Sequence, residues 1–257
     1  MTGSHLYWSL PFIRDLAYHI YNNANNSSSY RPLINYQRPT PPSLIYNYVS
    51  RSHFHNLLTL SQQFELAQDL TFYTDSSLTG LGTPSIRMGL AWLQTNLNFP
   101  MVSYSSAFAT SCPSSSSAEL GAIFTAILMA PKYCRITIFT DSQAVIQQFA
   151  KFKSIRCFSP SIRPLQKITN YPLWFSLFEV IDKQHLTIVM RKVKAHSGDL
   201  YNEKVDQLAK QCYDSSALLF NLTYIKQHHI SYKGMCVTVP IRPLIQDITQ
   251  SIMYNNF

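Results

Sequence analysis

Four acidic residues stand in short motifs whose residue types and order indicate a shared site: Asp75, Glu119, Asp141 and Asp206. Only 13 of the 257 residues are Asp or Glu, so four of them in motif-like settings is informative. Two carboxylates about 4 Å apart repel by on the order of 4 kcal/mol at an effective dielectric constant near 20. Such a cluster takes up protons or recruits cations. Because hard oxygen ligands suit Mg²⁺, the sequence predicts a magnesium site, with Mn²⁺ as a substitute.

The hydrophobic pattern predicts an α/β domain that brings these acids together. Predicted strands cover 70–74, 87–93, 102–107, 135–140 and 186–193, and predicted helices cover 118–130, 142–149, 173–181 and 202–211. The first strand stops at Asp75 and the fourth delivers Asp141 to a strand-to-helix junction, where ligands collect in an open sheet. Glu119 falls in the first turn of its helix. In the last helix Asn202 lies four residues before Asp206, so both side chains face the same way.

Four motifs in this order resemble the type I ribonuclease H family, specifically the ribonuclease H domain attached to reverse transcriptases of non-LTR (LINE-like) retrotransposons. They are Tyr73-Thr74-Asp75-Ser76-Ser77, Ala118-Glu119-Leu120-Gly121-Ala122-Ile123, Ile138-Phe139-Thr140-Asp141-Ser142-Gln143, and Val193-Lys194-Ala195-His196-Ser197-Gly198 continuing through 202–209. The resemblance covers about residues 70–212. It implies a mixed five-stranded sheet, with three antiparallel strands first and two added parallel, flanked by helices.

The resemblance also implies an activity, the endonucleolytic hydrolysis of the RNA strand of RNA/DNA hybrids. Asp75, Glu119, Asp141 and Asp206 are then the catalytic residues that hold two Mg²⁺ ions astride the scissile phosphate. Asp75 bridges both ions, Glu119 and Asp141 hold the ion at the leaving group, and Asp206 shares with Asp75 the ion that activates water. His196 occupies the family's mobile histidine position, where it aids proton movement or product departure. A lone loop histidine is otherwise usually just solvated.

Polar residues beside the acids are predicted to bind the substrate, because the 2′-hydroxyl distinguishes RNA from DNA. The candidates are Ser76, Ser77, Ser116, Gln143 and Asn202. Each is also an ordinary turn or capping residue, and Asn202 suits the N-cap of the last helix. Ser76 departs from the family pattern, since glycine commonly follows the first acid and permits a close backbone approach.

The charge of the chain favours a polyanionic partner. Lys and Arg number 21 against 13 acids, which gives a formal charge of +8 and a pI of about 9.2. The resemblance implies that this partner is nucleic acid, in the form of an RNA/DNA hybrid, and that a reverse transcriptase domain in a parent polyprotein is a second partner. The basic segment 151–167 suits either a substrate-gripping protrusion or a solvated linker.

The composition of the chain and the extent of the resemblance together divide it into three regions. Residues 1–69 form an N-terminal extension with an Asn/Ser/Pro-rich linker, 70–212 the ribonuclease H-like domain, and 213–257 a C-terminal tail, both flanks being poorly structured. A helix is expected between residues 57 and 66, and the tail fits either a hairpin or a helix.

Cysteine usage and hydropathy favour an intracellular protein of the nucleus or cytoplasm. The five cysteines are widely spaced and odd in number, which indicates neither a disulfide framework nor a zinc cluster. The longest apolar stretch, Leu120–Ala130, is too short to cross a bilayer, so no membrane partner is expected.

Three alternatives stay open from the sequence. The first is a catalytically inactive nucleic-acid-binding module that keeps the fold and the basic charge. The second is a strand-transfer enzyme of the same broad fold, such as an integrase, although those usually carry their glutamate in a late helix and Glu119 comes second here. The third is four unrelated surface acids, each capping a helix or a turn.

Overall fold

The computed structural model describes residues 42–83, 85–110, 113–158, 163–195 and 198–222, together with 231–232 and 235–236. In chain order, the helices and strands are α1 (Pro42–Tyr48), α2 (Arg51–Gln62), β1 (Asp69–Thr79), β2 (Arg87–Gln94), β3 (Ser103–Ala107), α3 (Ser115–Leu128), β4 (Arg135–Thr140), α4 (Gln143–Phe158), α5 (Arg163–Gln166), α6 (Tyr171–Gln184), β5 (Thr187–Lys192), α7 (Leu200–Gln211), β6 (Ser231–Tyr232) and β7 (Met235–Cys236). Most of the predicted extension, residues 1–41, lies outside these ranges, and the predicted domain boundaries stay predictions.

Five strands form one mixed sheet in the order β3-β2-β1-β4-β5. The first three strands pair antiparallel, and β4 and β5 extend the sheet parallel to β1. The predicted fold of three antiparallel strands followed by two parallel ones is confirmed. In the tail, β6 and β7 pair as a short antiparallel hairpin, one of the two structures that the sequence left open.

The prediction that the first strand stops at Asp75 is wrong, because β1 continues to Thr79. The apolar run does end near Asp75, but antiparallel pairing with β2 extends through the following polar residues as far as Thr79. Pairing with the parallel neighbour β4 ends earlier, at Tyr73 and Phe139. The two central strands therefore separate just before Asp75, on the side where an open sheet offers room for a ligand.

The start of α3 also differs from the prediction. Ser114 caps α3 by accepting a hydrogen bond from the Ser117 backbone N–H (3.1 Å), so Glu119 is the fifth helical residue and not part of the first turn.

The N-cap role considered for Asn202 is likewise wrong. Asp199 caps α7, because its carboxylate accepts hydrogen bonds from the backbone N–H groups of Tyr201 (3.0 Å) and Asn202 (3.1 Å). An ionised carboxylate at this end also interacts favourably with the helix dipole. The side chain of Asn202 is thereby released from capping.

The main core lies on one face of the sheet and surrounds α3. Residues 117–128 of that helix are buried on every side, and Leu70 and Phe72 of β1 point toward them. The opposite face of β1 and β2 packs against α7 through a smaller cluster that includes Leu93 and Val205. None of the helices in the described part of the chain combines the length and apolar character that a bilayer crossing demands.

Segments on both sides of the sheet domain contribute to the main core. Ile45 and Tyr48 of α1 are fully buried, and the Tyr48 ring packs edge-on against Phe124 of α3 (ring centroids 5.3 Å apart). After α7, Leu218 and Phe220 are buried in the same cluster. The helix expected at 57–66 exists, but it begins at Arg51 and ends at Gln62.

The segment after α7 also covers the end of the edge strand β3. The Leu218 backbone N–H donates to the Ala107 carbonyl (2.7 Å). His53 of α2 bonds the Tyr104 hydroxyl of β3 through Nδ1 (2.9 Å) and the Ser216 hydroxyl through Nε2 (3.3 Å). Burial lowers the pKa of His53, which keeps this connecting imidazole neutral.

The approach of α7 to the sheet depends on Gly89 of β2. A Cβ atom at this position would lie 2.0 Å from the Ala209 carbonyl oxygen and 2.7 Å from Cys212 Sγ. Contacts this short require the backbone to move, so only glycine lets α7 lie where it does. Because α7 carries Asp206, this packing also sets the position of one acid relative to the others.

We expect Gly89→Ala to lower the free energy of unfolding by about 2 kcal/mol or more, since overpacking at a backbone contact cannot relax through a side-chain rotation. Urea denaturation followed by circular dichroism measures the change. Gly121→Ala is the matched control, because its nearest neighbour is the flexible Leu90 Cδ2 at 3.1 Å and its cost is expected to be smaller. Equal stability of Gly89→Ala and the wild type would contradict this role.

Candidate active site

A cavity of about 310 Å³ opens where β1 and β4 separate. Its lining residues are Asp75, Ser76, Ser115, Glu119, Asp141, Ser142, Asn202, Glu203, Asp206 and Lys210. All four acids predicted from the sequence therefore face the same space, each delivered by a different part of the fold: β1, α3, the residue after β4, and α7. The alternative of four unrelated surface acids does not describe this arrangement.

Asp75 interacts electrostatically with each of the other three acids of the cavity. It is 8% exposed, and its Oδ1 accepts a hydrogen bond from the Ser76 backbone N–H (2.6 Å). Burial, followed by the negative charge of Asp141, raises the pKa of Asp75 to about 7. The hydrogen bond from Ser76 opposes this rise, because it favours the ionised form.

Glu119 is the most deeply buried of the four acids, at 3% exposure. The hydroxyls of Thr74 (3.3 Å) and Thr140 both donate to its Oε1, so β1 and β4 each supply one donor that fixes the carboxyl group. Burial, followed by the charge of Asp75, raises the pKa of Glu119 to about 8. Asp75 and Glu119 therefore hold protons near neutral pH unless a cation balances their charge.

Asp141 and Asp206 form the more accessible side of the cavity. Asp141 is half-buried directly after β4, and Lys192 Nζ donates to its main-chain carbonyl. Asp206 on α7 forms an ion pair with Lys210 one turn later (Nζ to Oδ2, 2.7 Å). The charges of Asp206 and Lys210 act on Asp75 in opposite directions, the first raising and the second lowering its pKa.

Asn202 places an unsatisfied acceptor in this cavity. The residue is 4% exposed, and its Oδ1 has no hydrogen-bond partner within the described residues. Buried amide oxygens in folded proteins are nearly always bonded, so an orphan at a cavity wall points to a bound water, ion or ligand hydroxyl. The helical spacing of Asn202 and Asp206 aims both at the same space.

The donor set of the cavity suits a hard divalent cation. Carboxylate and amide oxygens line it, and two of the carboxyl groups have raised pKa values that a bound cation would reverse. As the side chains stand, no group of three or more His, Cys, Asp or Glu residues in the described part of the chain is gathered into a ready metal cluster.

The remaining predicted site residues lie in different places. Ser76 lines the cavity, whereas Ser77 is buried and bonds the Tyr213 hydroxyl behind α7. Ser116 on α3 and Gln143 at the start of α4 do not line the cavity. His196 lies outside the described residues. Substrate contacts by Ser77, Ser116, Gln143 and His196 stay predictions.

Four cavity residues were missing from the predicted set: Ser115, Ser142, Glu203 and Lys210. Two of them could have been found by helical spacing, since Glu203 and Lys210 lie three residues before and four after Asp206 on α7. Ser142 directly follows a predicted acid. Ser115 had no comparable signal, because the four consecutive serines at 114–117 are equivalent until the helix start is known.

We expect the metal-free protein to lose stability as pH rises from about 4 to about 8. The folded state keeps protons on Asp75 and Glu119 that the unfolded chain has already lost, so unfolding becomes easier across this window. Asp75→Asn removes one of these two carboxyl groups and also removes the charge that repels the other, Glu119. At pH 8 the variant should exceed the wild type by about 1 kcal/mol or more in free energy of unfolding.

Urea denaturation in the presence of a chelator, at pH 5 and pH 8, measures this difference. Protonation of His53 has the opposite effect on stability, because it destabilises the folded protein as pH falls below 6.5. This effect is the same in the wild type and in Asp75→Asn, so it cancels when the two proteins are compared at one pH. Asp69→Asn, an exposed acid on the same strand, is the matched control and should change little. A wild-type protein as stable at pH 8 as Asp75→Asn would contradict the repulsion described above.

Comparison with known proteins assigns the chain to a family. Ribonuclease HI of Helicobacter pylori is 35% identical over 92 residues, which are 36% of this chain and 60% of that protein. Ribonuclease H of Chromobacterium violaceum is 29% identical over 100 residues, 38% of this chain and 66% of that protein. The chain thus spans less than two thirds of either relative.

A solved structure of a foamy viral protease-reverse transcriptase in complex with double-stranded DNA overlaps 56% of this chain and 94% of that chain, at 18% identity and a TM-score of 0.44. The family model for RNase H matches residues 67–214, which is more than half of the 257 residues and includes all four cavity acids. This chain therefore belongs to the RNase H family.

Proposed function

We propose that this chain is a divalent-metal-dependent endonuclease that hydrolyses the RNA strand of RNA/DNA hybrids. One observation carries the proposal: Asp75, Glu119, Asp141 and Asp206, from four separate elements of an RNase H family fold, line a single cavity. The matched bacterial relatives are themselves ribonucleases H, which supports the same reaction here.

The four carboxylates are the proposed ligands of Mg²⁺, or of Mn²⁺ in its place. Two such ions, when bound, would activate a water and stabilise the charge on the departing 3′ oxygen. The chain's own contribution is to hold the ligands in place before any ion arrives. Thr74 and Thr140 fix Glu119, the Ser76 N–H fixes Asp75, and Lys210 holds Asp206 at the cavity wall.

Ser76 and Asn202 are the proposed contacts to the RNA strand. Ser76 lines the cavity beside Asp75 and is not among the residues with positive φ, so the backbone there has no need of the glycine that is common in the family. The free Oδ1 of Asn202 accepts a hydrogen bond, and a ribose 2′-hydroxyl can donate one.

We further propose that the chain derives from a non-LTR retrotransposon and acts inside the cell, beside a reverse transcriptase domain of a parent polyprotein. The four motifs and their order support the origin. Cys134, Cys157 and Cys212 carry free thiols, as expected of a protein in a reducing compartment.

Asp75→Asn and Asp141→Asn are each expected to slow hybrid cleavage by about a thousandfold or more, because each removes a charged ligand from the cavity. The assay follows a labelled RNA/DNA hybrid with Mg²⁺ and then with a chelator, which should also abolish cleavage. Thermal unfolding by circular dichroism verifies that both variants fold.

Asp69→Asn is the matched control, since it makes the same chemical change on β1 but at the start of the strand, six residues before Asp75, and it should cleave like the wild type. Binding of the hybrid without metal-dependent cleavage by the wild type would instead favour the catalytically inactive binding module. Retained cleavage in Asp75→Asn would remove that residue from the reaction.

A further inference from the structure

An aromatic row crosses the sheet next to the acidic cavity. Tyr73 of β1 pairs with Phe139 of β4, and Phe139 pairs with Arg191 of β5, so the three side chains stand side by side on one face. The Tyr73 and Phe139 rings stack with centroids 4.7 Å apart and planes at 12°. Tyr201 of α7 continues the row, 5.4 Å from Tyr73.

Where β4 and β5 form it, this face of the sheet is partly exposed in the described part of the chain. α7 packs over the β1 and β2 part through Leu93 and Val205. Beyond it, Phe139 is half-buried and Arg191 is exposed, whereas the opposite face of β4 is buried at Ile136 and Ile138. Within the described residues the Arg191 guanidinium forms neither a hydrogen bond nor an ion pair. Tyr73 and Tyr201 also pack against the small cluster under α7, so Phe139 and Arg191 form the more accessible end of the row.

Arg191, beside Phe139, favours an anionic occupant at the β5 end of the row. Arg191 projects from this face on β5 and is exposed. Arg135 projects from it at the start of β4, where its cross-strand neighbour on β1 is the exposed Asp69. Asp199 lies at the other end, but its carboxylate already caps α7 and accepts a hydrogen bond from the Tyr73 hydroxyl (3.4 Å). Burial, then the charge of Asp199, raises the pKa of Tyr73, so the ring stays neutral.

The row lies two residues before the cavity on each strand. Tyr73 precedes Asp75 and Phe139 precedes Asp141 by two positions, which is about 7 Å along a strand. A nucleic acid strand held at the cavity would reach the row within one or two nucleotides. Bases in a duplex are already stacked on one another, so the accessible parts of these half-buried rings are useful chiefly to unpaired bases.

We propose that Tyr73, Phe139, Tyr201 and Arg191 form a binding face for single-stranded nucleic acid, distinct from the carboxylate site. Unpaired bases stack against the rings, and the Arg191 guanidinium contacts a phosphate or stacks on a base. This face would hold a single-stranded extension of a nucleic acid whose duplex part lies at the cavity. The proposal does not require the chain to cleave anything.

Fluorescence anisotropy with a labelled oligothymidylate of about 12 nucleotides tests the proposal, in a chelator so that no cleavage occurs. Phe139→Thr should weaken binding about fivefold or more without altering its salt dependence, because it removes a stacking surface and no charge. Arg191→Gln should weaken binding and reduce the slope of log affinity against log salt by about 0.7.

Arg51→Gln is the matched control, since Arg51 is also exposed but lies on α2, away from this face. The oligonucleotide affinity of this variant should equal that of the wild type. Wild-type affinity in both Phe139→Thr and Arg191→Gln would overturn the proposal, as would the absence of any binding by the wild type. A wild-type dimer that Phe139→Thr converts to a monomer, with oligonucleotide affinity unchanged, would show instead an interface between copies. These binding measurements can be interpreted even if the protein does not cleave RNA/DNA hybrids, because they are made without cleavage.

Discussion

Repulsion between buried carboxyl groups is the constraint around which this site is built. Asp75 and Glu119 lie out of water beside Asp141, and each responds by holding its proton toward neutral pH. The fold supplies partial compensation from several directions: two threonine hydroxyls at Glu119, one backbone N–H at Asp75 and one lysine at Asp206. None of these is a full counter-charge for the buried pair, which leaves a strong attraction for an added cation.

Backbone packing creates the space in which this repulsion operates. β1 and β4 stay paired only as far as Tyr73 and Phe139, and the cavity begins where they part. On the other side, the missing side chain of Gly89 lets α7 come close enough for Asp206 and Asn202 to face Asp75. A gap between strands and a tight contact between helix and sheet thus determine the site together.

The sequence predicted those parts of the site that follow from local pattern. The apolar run before Asp141 ends at a true strand end, so that acid was placed correctly, and all five strands were expected. Asp75 was misplaced because pairing with β2, a long-range effect, extends β1 through polar residues. The capping of α7 by Asp199 and the diversion of Ser77 to Tyr213 depend on three-dimensional contacts that no local spacing reveals.

The hydrogen bonds of His53 with Tyr104 and Ser216 indicate that the folded domain extends beyond the residues that the family model matches. These bonds join α2, the edge strand β3 and the segment after α7. Of the three bonded residues, only Tyr104 of β3 falls within residues 67–214. A fragment trimmed to that family match would lose Tyr48, Leu218 and Phe220 from the core and uncover the free side of β3. Bare strand edges recruit other chains, and the segment after α7 covers the end of this edge, which a trimmed fragment would leave open.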